Sequence, residues 1–244
     1  MEKINKLLSH ARNTEVDTVS GRIISEYGKN DWGFDTHLTG IFGLLNPSSI
    51  KLSQAIKRIK AESSLEEKDE LRDNKLRAVN YVVLGFIHHP DETISSAAKK
   101  VDAVFDHYGL NIINESYATE SSFIKSLLGD FDSPEIQIAI AAMPGLPQIV
   151  DDLKAAQTGF EEAELLFQNE KAKEGSQENA TEVKQTVLSL INDKLVTYLN
   201  AMVLVDEAKY GSFALTVSQI INDMNLIIKK RKKSSQPVND AAVN

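Results

Sequence analysis

Residues 149–167 read IVDDLKAAQTGFEEAELLF, and their spacing decides the fold. Ile149, Leu153, Ala156, Phe160, Ala163 and Phe167 step by four and three, which is one stripe of an α-helix. Asp151, Asp152, Lys154, Glu161, Glu162 and Glu164 fall mostly on the other side. Val187, Ile191, Leu195, Tyr198, Met202 and Val205 form a second stripe, and Phe213, Val217, Ile220, Met224 and Ile227 a third. An isolated amphipathic helix cannot bury its stripe, so such helices pack on one another. The spacing predicts three long helices over 147–173, 181–207 and 212–230, packed antiparallel across short turns at 175–179 and 210–211.

The first half follows the same period. Leu76, Val79, Val83 and Phe86 make one seam; Ile94, Ala98, Val101, Phe105 and Tyr108 make another. Val16, Val19, Ile23 and Tyr27 mark an early helix; Tyr117, Ile124, Leu128 and Phe131 a middle one. Leu38, Ile41, Phe42 and Leu45, then Leu52, Ala55, Ile56 and Ile59, read as a helix pair broken at Asn46-Pro47. Asn46-Pro47, His89-Pro90 and Ser133-Pro134 each place an N-cap type before a proline at the first helical position. Met143-Pro144-Gly145-Leu146-Pro147 is a break, and Leu110 to Ile113 is the only strand-like scrap. The fold expected is all-α: antiparallel helical bundles, with two related bundles in tandem preferred because Asp73-Asn74-Lys75-Leu76 resembles Asn192-Asp193-Lys194-Leu195. The expected division is an N-terminal bundle over 1–112, a C-terminal bundle over 113–233, and a disordered tail over 234–244.

Composition narrows the function. The chain has 244 residues, a net charge of −8 and no cysteine, which excludes disulfides, thiolate metal sites and a catalytic cysteine. An acidic body repels phosphate backbones, so nucleic acid is disfavoured as a partner. The longest apolar run, 81–87 interrupted by Gly85, is far short of the roughly 18 residues that span a bilayer. No secretory signal opens the chain, and the expectation is a cytoplasmic protein with no transmembrane segment.

The segments ELRDNKLRAVNYVVLGFIHHPD at 70–91 and AAKKVDAVFDHYG at 97–109, with the long helices after Pro147, resemble an uncharacterised family of all-helical bacterial proteins of about this length, a domain of unknown function. The resemblance implies the fold class. The family has no assigned activity, so no catalytic residue carries over.

Few residues offer chemistry. His88, His89 and Asp91 cluster at a helix junction, but neighbours on a helix point about 100° apart, so the two histidines do not converge on a metal. His107 stands roughly 24 Å further along. No histidine has Glu three residues before it, which excludes a ferritin-like di-iron site, and no metal or cofactor is expected. Arg72 and Asp73 sit on a helix with an apolar seam; turned inward, they pair across the bundle or bind a ligand. The acids Glu66, Glu67, Asp69 and Glu70 read as a solvated face. Lys229, Lys230, Arg231, Lys232 and Lys233 form a basic end that caps a helix or meets an anionic surface. Trp32 and Phe34 are expected to close a bundle end. The leading reading is a non-enzymatic structural or interaction protein, with a protein partner or self-association. The alternatives are a ligand site in a bundle core, through Arg72, Asp73, His88, His89 and Asp91, and surface binding through the basic end.

Overall fold

A computed structural model describes residues 3–174 and 179–234. Of the expected turn at 175–179 and tail over 234–244, residues 175–178 and 235–244 lie outside the described residues; Asn179 is instead an N-cap and Ser234 the last residue of a helix. Every regular element described is helical: α1 Asn13–Tyr27, α2 Thr36–Ile87, α3 Glu92–Tyr108, a 3-10 turn Leu110–Asn114, α4 Tyr117–Phe131, α5 Pro134–Ala141, α6 Leu146–Glu174, α7 Ala180–Ser189, a π turn Leu190–Leu195, α8 Val196–Val205 and α9 Glu207–Ser234. The protein is all-α.

The helices gather into two compact units. Unit 1 comprises Met1–Ile59 with Lys171–Asn244, and unit 2 comprises Lys60–Glu170. These are not the sequential halves 1–112 and 113–233: unit 2 is inserted between two segments of unit 1, so the bundles are not in tandem. The reason lies in α2, one helix of 52 residues that contains Pro47. Asn46-Pro47 does not break it. Proline deletes one backbone bond and crowds the carbonyl four residues back. That carbonyl belongs to Gly43, which is exposed, as is Pro47. Leu38, Phe42 and Leu45 before the proline and Leu52 after it are all buried in one core, so packing outweighs the local cost.

Unit 1 buries stripes from α1, α2, α7, the π turn, α8 and α9, among them Val19, Leu45, Val187, Leu195, Val217 and Ile228. Unit 2 buries Leu76 and Val83 of α2, Val101 and Phe105 of α3, Leu127 and Phe131 of α4, Ile140 of α5 and Leu153 of α6. Phe160 of α6 packs with Leu65, Ala163 and Phe167 in unit 2, so the expected three-helix packing of α6 against the last two helices is corrected. Ser133 is the N-cap before Pro134, as expected. At the other junction the N-cap is Asp91, not His89: its carboxylate accepts the Thr93 N–H at 2.8 Å. The scrap 110–113 is the 3-10 turn. Gly145, at φ +84°, turns the chain into α6. Trp32 is buried and donates to the Tyr27 carbonyl at 3.0 Å, while Phe34 stays 59% exposed.

The N-terminal segment of unit 1 has no regular secondary structure over residues 3–8. Residues 4–8 lie outside any helix or turn, with Ile4 and Leu7 buried. A residue whose N–H and C=O both meet one side-chain amide, as at Ile4 and Leu7, is extended, so the segment is an extended strap. An extended chain with no neighbouring strand leaves its N–H and C=O groups unpaired. Asparagine side chains take that place. Asn200 accepts from Ile4 N–H at 2.8 Å and donates to Ile4 C=O at 3.2 Å. Asn192 does the same at Leu7, at 2.8 and 2.9 Å. Asn225 accepts from Leu8 N–H at 3.0 Å and donates to Lys6 C=O at 2.9 Å. As the strap advances from 4 to 8, its partners fall from 200 to 192 on one helix and rise from 222 to 225 on the other. The run through α8 and α9 are therefore antiparallel.

The π turn serves this contact. In a regular α-helix, at roughly 100° per residue, Asn192 and Asn200 would point roughly 80° apart. The wider π turn, at roughly 80° per residue, brings them to within roughly 30° of one line. Residues 180–205 contain an 18-residue window with a mean hydropathy of 1.3, long and apolar enough by composition to cross a membrane, which a count of unbroken apolar runs overlooked. In the fold their stripe of Val183, Val187, Ile191, Leu195 and Leu199 lies in the core of unit 1.

Replacing Pro47 by Ala restores one helical bond at an exposed position. Part of that gain is lost to the freer unfolded chain. A denaturant melt of Pro47→Ala should show roughly 1–2 kcal/mol of added stability.

Candidate functional site

Three helices of unit 2 each place one polar side chain on an otherwise apolar stripe. Arg72 falls on the Leu65–Leu76–Val79–Val83 line of α2, Glu120 on the Tyr117–Ile124–Phe131 line of α4, and Gln157 on the Leu153–Phe160 line of α6. All three are buried, and Arg72 has no exposed surface. Its Nη2 donates to Asp69 Oδ1 at 2.7 Å and to Glu120. Its Nη1 donates to Ser121 Oγ at 2.9 Å and to Gln157 Oε1 at 3.4 Å. The ring of Phe160 covers the guanidinium, 3.7 Å from its Cζ, an arrangement that suits the planar cation. Gln157 passes the contact on, donating to Glu161 at 2.6 Å, and Lys125 pairs with Glu161 at 2.8 Å. Asp73 lies at the edge, where Arg77 donates to its Oδ2 at 3.0 Å.

One feature of this centre is unbalanced. Asp73 Oδ1 and Glu120 Oε1 are buried without a donor, and Arg72 Nε is buried without an acceptor. One carboxylate oxygen each from Asp69, Asp73 and Glu120 lie within 4.8 Å of one another. These three are the carboxylates that could hold a cation, but Arg72 already donates to two of them, and its charge opposes a metal ion at that point. A proton resolves the imbalance with less: on Glu120 it makes one orphan oxygen the donor to the other. Burial pushes the Glu120 carboxyl up to about 7; Arg72 opposes this, while the charge of Asp73 and its hydrogen bond with Glu120 reinforce it. Burial also raises Asp69, against the pull of Arg72. What the arrangement can do chemically is hold and release one proton near neutrality.

The structure separates the sequence-derived candidates. Arg72 and Asp73 share this centre. His88, His89 and Asp91 lie at the end of α2 and its junction with α3, roughly 24 Å along the helix from Arg72. There His89 Nδ1 accepts the Asp91 N–H at 3.1 Å and Asp91 caps α3; His88 is exposed. At the basic end, Lys229 and Lys230 are exposed, but Arg231 donates to Glu15 and, at 3.3 Å, to the His10 carbonyl. The side chain of Lys233 lies outside the described residues. Asp69, read as part of a solvated face, belongs to the buried centre. Glu120, Ser121 and Gln157 were missed. Their signal was present: each falls on or beside an apolar stripe, where a polar residue needs a partner.

A second polar centre, in unit 1, is Asp35. Its carboxylate accepts backbone N–H groups of His37 and Leu38 at the start of α2 and the hydroxyls of Tyr198 and Tyr210, both at 2.7 Å. Burial would raise its pKa, but these donors hold it below the ordinary carboxylate value.

The model of a family of unknown function, DUF6261, matches residues 62–225, and the chain belongs to that family. No curated protein matches the chain, and no solved structure does.

The proton site makes a signed prediction. Glu120 binds its proton more tightly folded than unfolded, so protonation stabilises the fold. That contribution is full below the unfolded value of 4.5 and is lost as pH rises through about 7. Glu15, Asp35 and Glu161 are shifted the other way, so what they contribute is lost only in more acidic solution. Denaturant melts should lose roughly 1–3 kcal/mol between pH 5 and 8. Glu120→Gln, whose amide donates at any pH, should flatten that slope. An equal slope in both proteins would reject the shared proton.

Proposed function

We propose that the chain is a non-enzymatic helical interaction protein of the cytoplasm, joining a protein partner or a second copy of itself. The observation that carries this reading is at the end of α8, where the adjacent Leu204 and Val205 are 88% and 76% exposed. Single exposed apolar side chains are ordinary. Two in succession at a helix end, beside an open groove of about 570 Å³ that Leu204 lines with Ile4, Val196 and Ala201, are a surface that gains by being covered. Burying a leucine contributes roughly 1.5–3 kcal/mol. The converging charges of unit 2 support the non-enzymatic half of the reading. A catalyst must present its acids and bases to a substrate. Here the guanidinium is closed off from solvent, and both of its terminal nitrogens are held by neighbours.

The test substitutes Leu204 and Val205 together by Asp. Exposed positions carry little folding energy, so the melting temperature should stay within roughly 2 °C of wild type. Cross-linking in cells should give discrete higher-mass species with wild type and lose them with the variant. The same species from both proteins, or stabilisation of wild type by a small metabolite that Asp73→Asn abolishes, would overturn the reading.

A further inference from the structure

The strap raises a question that folding alone does not answer. A segment held only for stability is usually held by its side chains. Here Ile4 and Leu7 fill apolar sites, but six backbone groups of residues 4–8 are also read one by one by asparagine amides. Asparagine offers one acceptor and two donors on a single plane, so it can pair with the N–H and C=O of one extended residue at once. Asn192 and Asn200 both do so. A π turn, which α-helices rarely contain and which recurs at functional sites, sets the two in line.

We propose that the groove of unit 1 lined by Asn192, Asn200 and Asn225 is a binding site for an extended peptide, and that residues 4–8 occupy it in cis. The inference rests on the interaction reading above and names the class of partner.

The seated strap defines the ligand. It is extended, with unblocked backbone amides at the two residues that face Asn200 and Asn192. It carries apolar side chains there, three residues apart, as Ile4 and Leu7 are. It carries a basic residue between them, where Lys6 meets Asp193 at 2.7 Å. Backbone bonds give affinity at any sequence, and the apolar sites and Asp193 give selection. The strap also leaves room that such a partner can use. The open groove is lined by residues 3–6 on one side and by Thr197, Asn200, Ala201 and the exposed Leu204 on the other. A partner segment in the same register that continues N-terminal to the Ile4 position along this groove reaches Leu204. The cis strap then acts as a competitor, because a tethered segment has a high effective concentration.

The probe is a fluorescein-labelled synthetic peptide copying residues 3–12. The receptor is the full chain with Ile4→Asp and Leu7→Asp, which weaken its own strap. Fluorescence polarisation should report saturable binding at least tenfold tighter than to wild type. Adding Asn192→Ala and Asn200→Ala to the receptor should weaken it tenfold or more. N-methylating the peptide at its Ile4 and Leu7 amides should abolish it. If the receptor variant melts early, the peptide should restore its melting temperature. The chain has no cysteine, so an Asn5→Cys/Asn222→Cys pair, placed where these side chains now bond at 3.1 Å, gives a disulfide lock that should block the peptide until reduced. Binding that ignores the asparagines and the N-methyl groups, or neither binding nor thermal rescue, overturns the proposal. Its failure leaves the Leu204/Val205 cross-linking result standing, so the two readings fall separately.

Discussion

A guanidinium with no solvent contact has to be matched where it lies, and Arg72 imposes that requirement on unit 2. Stripping water from a charge costs several kcal/mol, recovered only if partners surround it. The partners come from three helices: Asp69 from its own turn, Glu120 and Ser121 from α4, Gln157 and the ring of Phe160 from α6. Each can reach Arg72 in only one register, so a slip of any helix would leave the charge unpaired. Apolar stripes bring the helices together, and the buried polar centre selects how they meet.

The same logic operates in unit 1 with neutral groups. The strap is extended, so its backbone must find partners outside any helix or sheet. Asn192, Asn200 and Asn225 supply them. The π turn aligns the first two, and the buried Ile4 and Leu7 anchor the ends. Asp35 adds a second fixed point, tying the start of α2 to Tyr198 and Tyr210. In both units a few polar side chains on buried faces fix what a merely greasy bundle would leave free.

How legible this was in the sequence follows from the range of the forces involved. Stripes such as 149–167 and 213–227 are local, and they marked helices that the structure contains. The Ser133 cap and the Gly145 break are local too. Pro47 was misread because its local cost is outweighed by core contacts on both sides of it, which no window of sequence displays. The unit boundaries were misread for a related reason: α2 and α6 each contribute residues to both units, and contact, not order along the chain, decides membership. Arg72 and Asp73 were legible as polar residues on a seam. Glu120 also falls on a stripe, but an acid in a helix's first turn has an ordinary explanation in the helix dipole, which masked the signal. Only the neighbouring helices show that it faces inward. The asparagine contacts join residues nearly two hundred positions apart, beyond any spacing argument.

The central claim, that Arg72 and Glu120 exist for each other, is best tested by a double-mutant cycle in denaturant melts at pH 6. Arg72→Met and Glu120→Leu should each cost roughly 3–5 kcal/mol, because each leaves a buried partner stranded. The double variant should cost less than their sum by at least roughly 2 kcal/mol. Additivity within roughly 0.5 kcal/mol would contradict the account, since the two side chains would then be making independent contributions.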